Sequence, residues 1–291
     1  MSLSTLIGGA ADGLLLGGLY AITALGLSMV FGVMRLVNVA HGELLILAAY
    51  LNLMISTALG LDPILATLLI APILFVVGYG LQRWVLNPVM NKGSEPPLLI
   101  AFGLSIIAQN LFILLWNVNT QSLTTAYSQS GLALAGVRVR LMYLLAFVLA
   151  LGLIMGMHQF VARSYLGKAI RAATQDPQTA GIMGVNVNTI YALTHAIGAS
   201  TAALGGALLG MTFSFTPAAG LPWLLKGFVV VVLGGMGSIV GTLAGGLVLG
   251  LAEGVGAALV GTGYRDMIGF LIFLAVLTVR PRGLFGAGRG E

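Results

Sequence analysis

Three stretches of this 291-residue chain gather polar, charged or glycine residues that stand out from a strongly apolar background. The first is Phe31-Gly-Val-Met-Arg-Leu-Val-Asn-Val-Ala-His-Gly-Glu43, which sets Arg35, Asn38, His41, Gly42 and Glu43 between apolar runs. Polar groups are costly in hydrocarbon, so these must face protein, water or an interface. Two readings are open. Glu43 can sit at a helix start, where the positive end of the dipole favours a carboxylate, as an interfacial cap. Alternatively, Asn38 and His41 shape a re-entrant loop beside a polar pathway. The second stretch runs from Gly167 to Gly184. Lys168 to Thr174 reads as a short helix, Asp176 as the N-cap of another, and Pro177 as its first residue. Gly184 suits the stop that follows. Two short helices meeting at a corner make a rigid knob, on which Ile170, Ala173, Ala180 and Met183 form an apolar surface. That surface seats in another protein's groove, or else the loop packs on its own membrane domain. The third stretch is Leu233-Gly-Gly-Met-Gly-Ser238, where Gly234, Gly235 and Gly237 interrupt a long apolar run. It is either broken backbone lining a pathway or a tight turn between two spans.

None of these is a catalytic constellation. The three histidines, His41, His158 and His195, form no H-E-x-x-H metal motif, and the sequence has no Gly-x-Ser-x-Gly elbow. Gly167-Lys168 is followed by Ala169, so no nucleotide-binding P-loop is present. The chain has no cysteine, which excludes disulfides and thiolate metal sites. Among the remaining polar residues in apolar surroundings, Gln109 and Asn110 are adjacent and cannot both face one pore. For these two, His195 and Glu253, an interhelical hydrogen bond or an interface position is expected rather than a substrate contact.

The elements that position these residues follow from composition. Apolar residues make up 58% of the chain and charged residues 7%, with mean hydropathy +1.04. A soluble domain carries about 25% charged residues, so an integral membrane protein is expected. Apolar runs near 13–34, 43–60, 63–81, 98–117, 141–161, 190–212, 224–259 and 267–279 are close to the ~20 residues a helix needs to span a bilayer. The strand alternation of a membrane β-barrel is absent. The run 224–259 is too long for one span and breaks at its glycines. The fold class is therefore all-α integral membrane: a polytopic helical bundle of about 8–9 membrane segments with a broken or re-entrant helix pair near the C-terminus. One transmembrane domain is expected to fill 1–291, with a cytoplasmic loop at about 162–189.

Net charge is +5 from only 21 charged residues, which speaks against a nucleic-acid partner and for positive residues anchoring loops. Placing Arg35, the loop 82–97 (Arg83, Lys92), the loop 162–189 (Arg163, Lys168, Arg171) and the tail (Arg280, Arg282, Arg289) inside leaves Arg138, Arg140, Lys226 and Arg265 outside. That asymmetry sets the N-terminus outside and the C-terminus in the cytoplasm. Met1 to Asp12 has no basic residue, so no cleaved signal peptide is expected. Gly198, Ala202, Gly206 and Gly210 recur every four residues, as do Gly246, Gly250 and Gly254, and Gly13, Gly17 and Ala21. Such small-residue stripes let helix backbones approach closely.

Val30 to Glu43 resembles the F-G-x-x-x-x-x-N-x-A-H-G signature of LivH-type permeases, the membrane subunits of branched-chain amino acid ABC importers. Arg171-Ala-Ala-Thr-Gln-Asp-Pro-x-x-Ala180, with Met183-Gly-Val-Asn186, is similar to that family's coupling loop. Val230 to Ile239, with Gly241, resembles its C-terminal signature; many relatives carry Pro where this chain has Val240. The three motifs stand in family order and cover nearly the whole chain.

The resemblance implies a multi-span permease of a bacterial inner membrane that is not itself an enzyme. Its implied partners are a second, LivM-like permease, two cytoplasmic ATPases and a periplasmic substrate-binding protein, with lipid around it. No cofactor is expected in this chain, ATP and Mg residing on the partner ATPases. Gly167, Lys168, Arg171, Ala172, Asp176, Pro177, Ala180, Met183 and Gly184 become the ATPase-coupling element. Asn38, His41, Gly42, Glu43, Gly234, Gly235 and Gly237 become pathway or structural candidates. The implied cargo is a branched-chain or other hydrophobic amino acid moved by ATP-driven alternating access. The alternative is urea or a short amide, which permeases with similar motifs carry. A stand-alone secondary transporter is expected to bury ionisable residues mid-span, whereas the charges here are expected near span ends.

Overall fold

The computed structural model describes residues 3–93, 95–125, 127–128, 130–134, 137–280 and 283. Arg282 and Arg289 of the expected basic tail lie outside the described residues. Nine helical segments among those described are long and apolar enough to cross a membrane. In chain order the helices are α1 (Leu3–Met34), α2 (His41–Leu59), α3 (Pro63–Gly80), α4 (Asn87–Met90), α5 (Glu95–Trp116), α6 (Leu141–Arg163), α7 (Tyr165–Gln175), α8 (Pro177–Ile182), α9 (Val187–Thr212), α10 (Gly220–Gly234), α11 (Ile239–Val260) and α12 (Arg265–Val279). A small antiparallel hairpin, β1 (Gly131–Leu134) and β2 (Val137–Arg140), precedes α6.

Most apolar runs coincide with helices, and three boundaries move. α1 starts ten residues before the run at 13, and its added first turns pack on α11 through Gly9, which faces Gly254 and Ala258. The run 224–259 divides at Gly235–Ser238 into α10 and α11. The expected loop 82–97 is largely helical: α3 continues through a π turn at Leu81–Leu86 into α4. Pro88 has no N–H to give the Trp84 carbonyl, and its ring would crowd that oxygen in a regular α turn. The backbone widens instead, and Asn87 N–H bonds the Gln82 carbonyl.

Glycine stripes hold the centre. α1 and α11 interlock through Gly9, Gly13 and Gly17 against Gly254, Gly250 and Gly246. A Cβ on Gly17 would stand 2.6 Å from the Gly246 carbonyl oxygen. α9 lays Gly198 against Gly26 of α1, Gly206 against Leu45 and Ala48 of α2, and Gly210 against Leu123 and Phe215. These contacts bear out the expected packing role. α5 and α12 lie at the periphery, exposing residues such as Phe102, Ile107, Leu271 and Leu274.

Two faces cap the bundle. On one, residue 121 pairs with residue 215 and Tyr127 donates to Asp62 at 2.7 and 2.9 Å. Burial and the Asp62 carboxylate push the Tyr127 phenol above its ordinary pKa. The other face carries α7, α8 and the turn between α10 and α11.

Candidate functional site

The first motif bends back into the bundle. After α1 ends, Arg35 takes φ 53° and residues 36–40 return along α1. His41 Nε2 donates to the Thr23 carbonyl at 2.9 Å, eleven residues before the end of α1, or roughly 16 Å up its axis at about 1.5 Å per residue. α2 therefore begins deep in the bundle. α10 begins beside it: a Cβ on Gly42 would meet the Gly220 carbonyl carbon at 2.7 Å and Leu224 Cβ at 3.1 Å. A Cβ on Gly220 would stand 2.5 Å from Glu43 Cδ. Two helix N-termini thus converge on Gly42, Glu43 and Gly220, inside the protein.

Glu43 stands in the first turn of α2, as its helix-start reading expects, but inside the bundle rather than on its surface. It is 4% exposed, and its Oε1 accepts from Ser105 of α5 at 3.1 Å, while Oε2 is buried with no hydrogen-bond partner. The segment Arg35–Glu43 is a re-entrant connection.

Asn38 starts a directed chain of hydrogen bonds. Its Oδ1 accepts from Ala40 N–H at 3.1 Å, which turns its amide nitrogen toward His195 Nε2 at 2.9 Å. That contact leaves His195 Nδ1 to donate to Gln82 Oε1 at 3.0 Å. Gln82 donates to Asn87 Oδ1 at 2.9 Å, and Asn87 donates to the Asn188 carbonyl at 2.8 Å. The chain runs from the re-entrant motif through α9 and the π turn to the first turn of α9. The expected interhelical bond of His195 is present. Sequence reasoning missed Gln82 and Asn87. The Asn-Pro pair at 87–88, a helix irregularity beside a polar side chain, is the signal that points there.

Further polar residues divide. Glu253 makes the expected interhelical contacts: Tyr20 OH donates to its Oε2 at 2.6 Å, and Lys226 Nζ lies 3.2 Å from its Oε1. Lys226 also pairs with Asp266 at 2.8 Å and stands 4.8 Å from the Tyr20 ring centroid. The count of basic residues places Lys226 on the outside and charges near span ends. Instead it lies midway along α10, where the Glu253 carboxylate and the Tyr20 ring replace its hydration. A lone lysine within the apolar run 224–259 was the available signal. Asn110 makes no interhelical bond; exposed on α5, it donates to Ile106 O of its own helix at 2.8 Å.

The second motif forms the expected corner. Ser164 caps α7, accepting from Gly167 N–H at 2.9 Å, and Gly167 packs on the Val161 backbone. Asp176 caps α8, accepting from Gln178 N–H at 2.9 Å, Thr179 N–H at 3.2 Å and Thr179 Oγ1 at 2.5 Å. These bonds, the Thr179 hydroxyl first, hold the Asp176 carboxyl below its ordinary pKa, so the cap is intact at neutral pH. Pro177 is the first residue of α8, and Gly184 takes φ 87° after it, where a Cβ is disfavoured. The expected apolar docking surface needs correction. Ile170, Ala173 and Ala180 are buried against their own chain, the first two in a cluster with Val33 and Ile190. The exposed apolar residues of the knob are Ile182 (85%) and Met183 (79%), with Lys168, Arg171, Asp176 and Pro177 also at the surface.

The third motif is a tight turn. Gly235 and Gly237 take φ 90° and 84°, Gly237 packs on Gly32, and Ser238 Oγ caps α11 by accepting from Gly241 N–H at 2.9 Å. Gly234 ends α10 against the Gly241 carbonyl. Val240 stands in the first turn of α11, where an intrahelical N–H bond is not required, so Pro or Val fits the same turn.

With this geometry in place, comparison with known proteins assigns the family. The profile described as "Branched-chain amino acid transport system / permease component" matches residues 9–277. The chain belongs to this family. It is 35% identical over 290 residues to the high-affinity branched-chain amino acid transport system permease protein BraD of Pseudomonas aeruginosa, covering 94% of each chain. It is 33% identical over 292 residues to the LivH permease protein of Escherichia coli K12, again covering 94% of each. A more distant relative is the fructose import permease protein FrcC of Rhizobium meliloti, 25% identical over 254 residues, 82% of this chain and 69% of that one. No solved structure matches. As a member of the family with nine candidate spans among its described residues, the chain is a multi-pass membrane permease component.

Proposed function

We propose that this chain forms part of the transmembrane pathway of an ABC importer for branched-chain or other hydrophobic amino acids. It pairs with a second permease subunit, two cytoplasmic ATPases that hold ATP and Mg, and a periplasmic substrate-binding protein. It performs no catalysis itself. Its N-terminus faces outward and the α7–α8 face inward, at a bacterial inner membrane. The observation that carries the reading is the α7–α8 corner: rigidly capped, anchored by Ile170 and Ala173, and exposing Ile182 and Met183 to a partner.

Motion of the corner has two routes into the bundle. One is the apolar cluster of Ala169, Ile170 and Ala173 with Ile190 and Val33, which joins α7 to α9 and α1. The other is the hydrogen-bond chain from Asn188 to Asn38, which reaches the junction of α2 and α10. Closure of the ATPases on ATP then reorients the helices around that junction.

The test is uptake into proteoliposomes that hold the chain with its four partner subunits and internal ATP. Labelled leucine should accumulate only when ATP and the binding protein are both present. Accumulation of urea but not leucine would transfer the chain to the amide branch, and leucine uptake without ATP would refute the importer reading.

A further inference from the structure

A cavity of about 530 Å³ opens on the α7–α8 face between the ends of α1 and α6, one side of α7, and the turn before α11. Its size falls within the roughly 300–1,000 Å³ of small-ligand sites. Met29, Val33, Val161 and Val240 give it apolar walls, while His158 and Arg171 supply basic groups. No Asp or Glu lines it. The surrounding segment 158–175 adds Arg163 and Lys168, and the first acid beyond it, Asp176, has its carboxylate engaged by Gln178 and Thr179 of α8.

Arg171 is held in place. Its guanidinium donates to the Val161 and Ala162 carbonyls at the end of α6. Two of its five N–H donors are thereby used and the others stay available to an anion. The cavity lies at the last turns of α6 and the first turn of α11, which are the ends of two candidate membrane spans. Exposed His158 and Val240 mark its open side. Tyr165, 86% exposed at the start of α7, is the aromatic type enriched at membrane–water interfaces.

We propose that this cavity binds one anionic phospholipid, its phosphate at Arg171 and an acyl chain against Val161 and Val240. An apolar wall beside a basic, acid-free rim at the bilayer boundary matches an amphipathic anion, and basic pockets between helices at such a boundary bind acidic headgroups. A lipid there bridges α7 and the turn at 235–240, so the bilayer's acidic lipid content acts on the relative position of those two elements. The site depends on membrane placement. It does not depend on the docking of ATPases, and only the leaflet follows from the proposed orientation.

The experiment is native mass spectrometry on the full chain purified in mild detergent, titrated with phosphatidylglycerol or with phosphatidylcholine of the same acyl chains. One phosphatidylglycerol should be retained, with phosphatidylcholine bound far more weakly. Arg171→Gln should weaken retention about fivefold, the value of one basic group near an anionic lipid surface. Val240→Trp, which fills the open side without touching the charge, should also reduce it, and Arg140→Gln on the opposite face should not. Equal retention of the two lipids, or parental retention in both Arg171→Gln and Val240→Trp, overturns the site. Displacement of the lipid by equimolar sn-glycerol 3-phosphate would show a soluble-phosphate site instead and equally overturn the proposal.

Discussion

At the scale of single residues, the directed chain from Asn38 to Asn188 is what gives the re-entrant motif its fixed geometry. Each amide has one oxygen and one nitrogen engaged, so reversing one reverses its neighbours. Asn38→Ala removes the acceptor for Ala40 N–H and the donor to His195 Nε2, both buried. Leaving a buried polar group without a partner costs about 1–3 kcal/mol. Thermal unfolding in detergent should therefore show a clear loss for Asn38→Ala. Asn110→Ala, whose amide is exposed and bonds only its own helix, should stay within about 0.5 kcal/mol of the parent. Equal melting of the two variants would mean that the chain adds nothing. The motif's composition announced a polar site, but the partners of Asn38 did not show in the sequence. His195 is 157 positions after Asn38, and Gln82 lies 113 positions before His195, so no spacing pattern links them.

At the scale of elements, short-range rules were readable and long-range choices were not. The Asp176-Pro177 cap and the Gly184 stop depend on neighbours within a few residues, and each is where its local chemistry places it. The glycine stripes were equally legible, since a repeat of four marks one helix face. Which helix each face meets depends on the bundle. For Ile170, Ala173 and Ala180, an apolar side was visible, and it packs on the chain itself rather than on another protein. Gly250 tests the α1–α11 seam. A Cβ there would meet Gly17 N at 2.6 Å and Gly17 Cα at 2.7 Å, with backbone unable to yield cheaply. Gly250→Ala should destabilise the protein by about 1–3 kcal/mol, as overpacking does. Gly152→Ala on α6 meets open space and should be neutral or slightly stabilising, because Ala favours a helix over Gly by about 0.5–1 kcal/mol. Matching stability in both variants, read by denaturation in the same detergent, would remove the seam from the account.

At the scale of the whole molecule, the bundle converges on the junction of Gly42, Glu43 and Gly220, and the α7–α8 corner packs on α9 and α1 beside it. The Lys226–Glu253–Asp266 group ties α10 to α11 and α12 on the side away from the corner. Lys226 and Glu253 are thus paired within the protein, whereas Glu43 keeps one buried carboxylate oxygen without a partner. One cysteine measures whether partner ATPases grip the α7–α8 corner from the cytoplasm. The chain has none of its own, and Gln178 is exposed at the start of α8. A Gln178→Cys variant should react with a membrane-impermeant maleimide only from the cytoplasmic side of oriented vesicles, and that reaction should be lost when the ATPase subunits assemble. Labelling from the outer side, or cytoplasmic labelling unchanged by assembly, would contradict the account.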